Sequence, residues 1–282
     1  MRIQGTLLWG LLAPALGLMA LFYVVPLGVY FLNSFHLFRD GRIIPVWTLA
    51  TYVEFFTDPF SYRIIGRSLQ LAVIVTSLTI LVAYPVAYAL HTRVARPGVR
   101  AALALLLFSP LMVSVVVRTY GWLILLANQG LVNTLLRAAR VIETPLTLLF
   151  NMPGVVISLT HIFLPFAIFP MYSVMGKLDL TLKEAARDLG AGWWDTFTHI
   201  TLPLTMPGVV AAALICFTLS LSAFVTPQLL GGGRVQVLPL AVYNSTVEIN
   251  WPAGAVAGLV LLVLSILAVR ALNAVIRRLP GV

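Results

Sequence analysis

Residues 184–204 read EAARDLGAGWWDTFTHITLPL and interrupt a chain that is otherwise close to continuous hydrocarbon. Three acids, an arginine, a histidine, two glycines and two tryptophans fall in this one stretch. Thr181, three residues before Glu184, fits a capping box: its hydroxyl accepts from the Glu184 amide while the carboxylate returns to the Thr181 amide. The predicted helix runs to Leu189 and stops at Gly190, a residue suited to the left-handed conformation at a helix end. Leu182, Ala185, Ala186 and Leu189 recur at i, i+3, i+4 and i+7, one narrow apolar face, while Lys183, Arg187 and Asp188 stay in water. The small alanines let another surface approach the backbone closely. A second short helix is predicted from about Gly192 to His199, carrying Trp193, Trp194 and Phe197, with Pro203 closing it as the next apolar run begins.

The flanking sequence sets the environment of that stretch. Of 282 residues, 60% are hydrophobic and only 10% charged, and the mean hydropathy is +1.00. A soluble domain carries about 25% charged and about 45–50% apolar residues, so this chain could not cover a water-facing surface. Its class is integral membrane. The net charge of +9 does not point to nucleic acid, because the basic residues stand singly or in small groups beside apolar runs, as flanking charges of membrane spans do. Cys216 is alone in an apolar run and reads as a packing residue.

A span needs about 20 mostly apolar residues, since a helix rises ~1.5 Å per residue across ~30 Å of hydrocarbon. Six stretches qualify: about 9–33, 69–91, 101–127, 153–175, 204–229 and 253–275. The expected fold is therefore all-α, one transmembrane domain over 1–282, with the polar insert between spans four and five. Arg2 precedes the first stretch, which exceeds the ~7–15 residues of a secretory signal core and reads as an uncleaved span. An even number of spans puts both termini on one side. With the N-terminus inside, the inner segments hold Arg2, Arg93, Arg96, Arg100, Lys177, Lys183, Arg187, Arg270, Arg277 and Arg278. The outer ones hold Arg39, Arg42, Arg63, Arg67, Arg137, Arg140 and Arg234, so the bias runs in the direction expected for cytoplasmic termini. Residues 34–68 read as an outer segment lying against the bundle, with Trp47, Tyr52 and Phe55 at headgroup depth.

The spacing inside the insert carries a resemblance. Glu184-Ala185-Ala186, Gly190, Ile200, Leu202 and Pro203 match at every position the EAA signature of permease subunits in binding-protein-dependent ABC importers. The resemblance implies that this segment, with Leu189 on its apolar face, is the cytoplasmic coupling helix that docks in a cleft of an ATPase. Three further stretches, VVVRTYGW from Val115, NQGLVNTLL from Asn128 and FVTPQLLGGG from Phe224 with NWPAGAVAG from Asn250, are similar to permeases of the spermidine/putrescine type. Relatives of this type are similar to carriers of other small amines, opines, aminophosphonates or thiamine. The implied partners are two ATP-binding subunits, a second, homologous permease chain and an external substrate-binding protein. ATP and Mg²⁺ would sit on the ATPase, with no cofactor in this chain. The implied location is the bacterial cytoplasmic membrane.

The spans themselves suit a pathway. Pro85, Pro110, Pro165, Pro170, Pro207 and Pro227 fall in or at the ends of apolar runs, where each frees a carbonyl and can bend the helix. Ser109, Ser114, Thr218, Ser220, Ser222, Thr226 and Gln228 stand near those breaks, and broken helices lining a cavity are how transporters build sites. The bland alternative is that each hydroxyl bonds within its own helix. Pro227, Gln228 and the Gly231–Gly233 run are the candidate gating segment. Arg118 is the one formal charge well inside an expected span, where a charge costs ~2.5–3.5 kcal/mol, so it should face a partner, water or the headgroups. Candidate pathway residues are Arg118, Tyr120, Trp122, Phe224, Thr226, Gln228, Tyr243, Glu248 and Trp251. His161 reads as a packed histidine, since nothing near it has metal-ligand spacing.

Catalytic motifs do not appear: there is no phosphate-binding loop, no G-x-S-x-G and no H-E-x-x-H. A secondary transporter would need coupling-ion groups in the membrane, and none of the six expected spans contains Asp or Glu. A membrane-embedded enzyme would need a nucleophile or metal set that the serines, His161 and Cys216 do not form.

Overall fold

Backbone amides and carbonyls have no water partner in hydrocarbon, so each apolar run must close its own hydrogen bonds as a helix. A computed structural model of the chain describes residues 5–94, 96–178 and 180–276. Arg2, Arg277 and Arg278 of the charge tally lie outside the described residues, as do the side chains of Lys183 and Arg187. Among the described residues six helical stretches are long and apolar enough to cross a membrane: Trp9–Phe35, Pro59–Thr92, Val115–Ala138, Met152–Met175, Trp193–Leu221 and Trp251–Ala274. The first, fourth and sixth fall within a few residues of expectation.

In chain order the elements are α1 (Gly5–Met19), a π-turn, α2 (Val25–Leu32), a hairpin of β1 (Leu37–Arg39) and β2 (Arg42–Ile44), α3 (Ala50–Thr57) and α4 (Pro59–Thr92). There follow α5 (Pro97–Phe108), α6 (Val115–Leu126), α7 (Leu131–Ala138), α8 (Met152–Met175), α9 (Leu180–Asp188), α10 (Trp193–Thr196) and α11 (Leu202–Leu221). The chain continues through α12 (Val225–Gly231), α13 (Leu238–Val247) and α14 (Trp251–Ile276).

Three expected spans need correction. The second begins at Pro59 rather than about 69, because Asp58 Oδ1 accepts the Phe60 amide at 2.9 Å and Pro59 needs no donor in the first turn. Arg63 and Arg67 therefore sit on a helix and not in a loop. The third, expected unbroken over 101–127, divides into α5 and α6 around a 3₁₀ turn at Ser109–Met112 and extended backbone at Val113 and Ser114. Pro110 cannot donate to the Leu106 carbonyl, which Ser109 Oγ satisfies at 2.9 Å, and Ser114 Oγ then caps α6 by accepting the Val116 amide at 3.3 Å. The fifth, expected over 204–229, starts at Trp193 and ends at Leu221. Pro203 does not separate it from the preceding short helix. A π-turn at Phe197–Thr201 widens the ladder just ahead of Pro203 and lets the two helices run on as one.

Contacts divide the chain into two compact units. One holds residues up to 63 and 241–262. Its hairpin turns at Asp40-Gly41, both at positive φ (+50° and +74°), the conformation a two-residue antiparallel turn requires. Tyr52 of α3 shares a 2.7 Å hydrogen bond with the buried Ser34, while Trp47 is 67% exposed.

The other unit spans 64–240 and 263–282 and contains the apolar core: Leu71, Val75, Ala83 and Ala87 of α4; Val155, Leu159, Ile162 and Met171 of α8; Ala212 and Cys216 of α11; and Leu230 of α12. α8 is apolar on every side and buries twelve residues, so it is the central helix. α11 meets it through a stripe of small residues at Thr205, Gly208, Ala212 and Cys216, all buried. A Cβ built on Gly208 would lie 3.0 Å from the Met171 Cα and from the Pro170 carbonyl oxygen, and 3.1 Å from the Val174 Cβ. Backbones approach this closely in membranes because packing, not water exclusion, holds helices together. Gly208→Val should therefore overpack the α8–α11 contact, lowering stability by about 1–3 kcal/mol, with Gly208→Ala intermediate. Thermal midpoints of the purified variants in detergent check this ranking.

Candidate coupling segment and membrane pathway

The segment between the fourth and fifth spans folds as the pattern dictates, with one shift. α9 starts at Leu180, which puts Thr181 inside its first turn and not at the cap ahead of it. The Leu189 amide closes the last turn on the Ala185 carbonyl, and Ala191 reaches back to Ala186 at 2.9 Å across Gly190, whose φ is +85°. Nothing lies within 4 Å of a Cβ at Gly190, so the need for glycine there is conformational, not spatial. Leu182 is 47% and Leu189 90% exposed, with Glu184 and Ala185 also exposed and Ala186 half-buried. An apolar helix face left uncovered among the described residues is a surface suited to a partner. Ile200, Leu202 and Pro203, the other end of the signature, are half-buried in the π-turn and the start of α11. The motif thus joins an exposed half to a half built into a membrane helix.

The expected pathway residues separate between the two units. Tyr243, Glu248 and Trp251 belong to the first and are all exposed. Arg118, Trp122, Phe224, Thr226 and Gln228 belong to the second. There α6 places Arg118, Thr119 and Trp122 on neighbouring turns, whereas Tyr120 is 51% exposed and does not share the face of Arg118 and Trp122. The Trp122 indole N–H donates to His161 Nδ1 at 3.2 Å. Arg118 Nε and Nη1 are occluded from solvent and have no acceptor. Thr119 donates to the Val115 carbonyl at 2.8 Å, which leaves Thr226 to donate across 3.2 Å to Thr119 and tie α12 to α6. Val115, Phe163, Ser222, Phe224 and Thr226 line a cavity of about 180 Å³.

Other hydroxyls take the bland role. Ser109, Thr218 and Ser222 each donate to a carbonyl three or four residues back in their own helix. Gln228 is half-buried in α12, whose Pro227 falls in the first turn where an amide has no intrahelical partner anyway. Sequence reasoning missed Thr119, which pairs with a residue 107 positions away and carries no local signal. It also missed Glu54 and Asp58, which share with Phe55, Ser61 and Asn250 a cavity of about 300 Å³ in the first unit. Their four-residue spacing before Pro59 was a signal available in the sequence. Among the described residues no group of three or more His, Cys, Asp or Glu could hold a metal ion.

The model of the family described as "Binding-protein-dependent transport system inner membrane component" matches residues 80–280. The spermidine/putrescine transport system permease protein PotB of Escherichia coli (strain K12) is 34% identical over 247 residues, 87% of this chain and 89% of that protein. PotB of Haemophilus influenzae is 32% identical over 253 residues, 88% and 87% of the two chains. A bacterial ABC transporter involved in import of the acidic polysaccharide alginate has a chain that superposes with a TM-score of 0.78 at 20% identity, covering 97% of this chain and 96% of that one, a likeness of fold.

Because Arg118 makes no hydrogen bond through Nε or Nη1, Arg118→Met removes a charge without orphaning an acceptor at those atoms. The thermal midpoint of that variant in detergent should match or exceed that of the parent chain, since an intramembrane charge costs about 2.5–3.5 kcal/mol. A lower midpoint would mean that Arg118 holds the fold together.

Proposed function

This chain belongs to the binding-protein-dependent transport system inner-membrane components as a multi-pass permease subunit of an ABC importer, and from that premise we propose that it carries polyamines. The observation that supports the cargo is 34% identity across 87% of the chain to a spermidine/putrescine permease. In this reading residues 176–203 and both termini are cytoplasmic. Glu184, Ala185, Ala186, Leu189 and Gly190 dock in an ATP-binding subunit, and Ile200, Leu202 and Pro203 pass its movement to α11. Two ATPases, which hold ATP and Mg²⁺, a second permease chain and an external binding protein complete the importer.

The reaction is alternating access. Closure of the motor reorients the spans, so that a site between them opens first to one side and then to the other. A polyamine carries several positive charges and is best held by carboxylates and aromatic faces. The six membrane-crossing stretches offer one carboxylate, Asp195 at the very start of the fifth, and Arg118 repels a cation. The chain is accordingly a low-affinity conduit lined by hydroxyl and aromatic groups, Thr226, Phe224 and Trp122 among them. Glu248, with Tyr243 and Trp251, is exposed in the other unit and would offer a cation a carboxylate and aromatic faces. Discrimination belongs to the external protein and the partner permease. One observation favours a second cargo class: Arg118 Nε and Nη1, which have no acceptor among the described residues, suit an opine or aminophosphonate, whose acid group would supply one.

Uptake of labelled spermidine by cells carrying the variant importer tests the coupling assignment. Gly190→Val imposes a φ of +85° on a β-branched residue, a strain of about 1–2 kcal/mol, and Glu184→Lys reverses a charge on the docking helix. Both variants should remain in the membrane at parental levels and lose uptake. Parental uptake by both would overturn the assignment.

A further inference from the structure

We propose that Phe197 is the positioning residue that carries movement of the coupling segment into α4 and α11. This rests on the coupling assignment and goes beyond it, because Phe197 lies outside the signature. Its half-buried ring stacks on Trp193 (centroids 5.5 Å apart, planes at 12°) and on Trp194 (5.8 Å, 27°). The same ring meets Tyr84 and Tyr88, one turn apart on α4, edge to face at 6.0 Å each. Thr205 Oγ1 donates to the Thr201 and Leu202 carbonyls, so the Tyr84 hydroxyl, 2.9 Å away, donates to Thr205. Thr205 is fully buried in the stripe of α11 that faces α8. One ring therefore bridges two tryptophans that are 60% and 63% exposed to a hydrogen-bonded tyrosine at the helix core.

The backbone alone is poorly suited to that task. Between α10 and α11 the helix passes through the π-turn at Phe197–Thr201, where i→i+5 bonding interrupts the α-helical ladder. Such a turn can absorb a push on α10 as local unwinding. Bracketing its first residue between the Trp pair and the Tyr pair stiffens it sideways, and the push is delivered to α4 as well as along α11. The fold favours a rigid bracket, because packed aromatic contacts have discrete arrangements and do not deform continuously.

The test uses the whole importer, with both permeases, the ATPases and the external binding protein, in proteoliposomes, and reads transport per ATP hydrolysed. Phe197→Ala should assemble with the ATPases and hydrolyse ATP within about twofold of the parent, while transport per ATP falls at least about tenfold. Phe197→Tyr should restore the ratio to within about threefold of the parent. An unchanged ratio in Phe197→Ala overturns the proposal, whether both activities persist or fall together as they would if only docking were lost. If the alanine variant does not assemble, Phe197→Leu, which keeps an apolar side chain but no ring, is measured instead, and an unchanged ratio there also overturns it. Failure of the coupling assignment reads differently: Glu184→Lys and Gly190→Val, measured in the same proteoliposomes, would both keep the parental transport per ATP.

Discussion

The closeness of α8 and α11 at Gly208 is the contact on which the larger unit depends. Hydrocarbon gives no hydrophobic drive for helices to associate, so the pair is held by packing, and packing demands that the backbones approach. Thr205, Gly208, Ala212 and Cys216 make that approach possible along one face of α11. The same lack of water explains where helices break. The 3₁₀ turn after Pro110 and the irregular Ser222–Phe224 segment leave carbonyls that Ser109 and Ser222 bond from their own chain. Non-helical backbone at membrane depth is tolerated where protein or a cavity covers it, and Ser222 and Phe224 line such a cavity.

Hydropathy made the membrane class and the number of spans legible, because long apolar runs such as 153–175 have few other fates. The helix stop within the polar insert was equally legible. Gly190 could be assigned a left-handed conformation from its place after an apolar stripe, and it adopts φ +85°. The third span was not legible, since Leu103 to Leu107 and Val115 to Leu126 are equally apolar and only Pro110 between them marks the break. The start of α4 was hidden by Arg63 and Arg67, although Asp58-Pro59 is a local cap signal. The π-turn before Pro203 and the Thr119–Thr226 pair come from tertiary packing and helix continuity that no short window contains.

The charges sort the roles of the parts. The segment between the fourth and fifth spans exposes polar Glu184 and Asp188 together with apolar Leu182 and Leu189. In the proposed reading the membrane pathway carries one guanidinium, on α6, and its low polarity suits passage better than tight capture. Two acids, Glu54 and Asp58, share the cavity of the first unit.

The central claim is that α9 docks in an ATP-binding subunit on the cytoplasmic side. Cys216 is the only cysteine of the chain and is buried, so Leu189→Cys places one accessible thiol at the most exposed point of the proposed docking face. Thiol cross-linking of this variant in inner-membrane vesicles containing the ATPase subunits is the direct measurement. The account predicts a cross-link between position 189 and the ATPase, and no labelling of the thiol by a membrane-impermeant reagent added to intact cells. Labelling from outside the cell, with no cross-link to the ATPase, would contradict it.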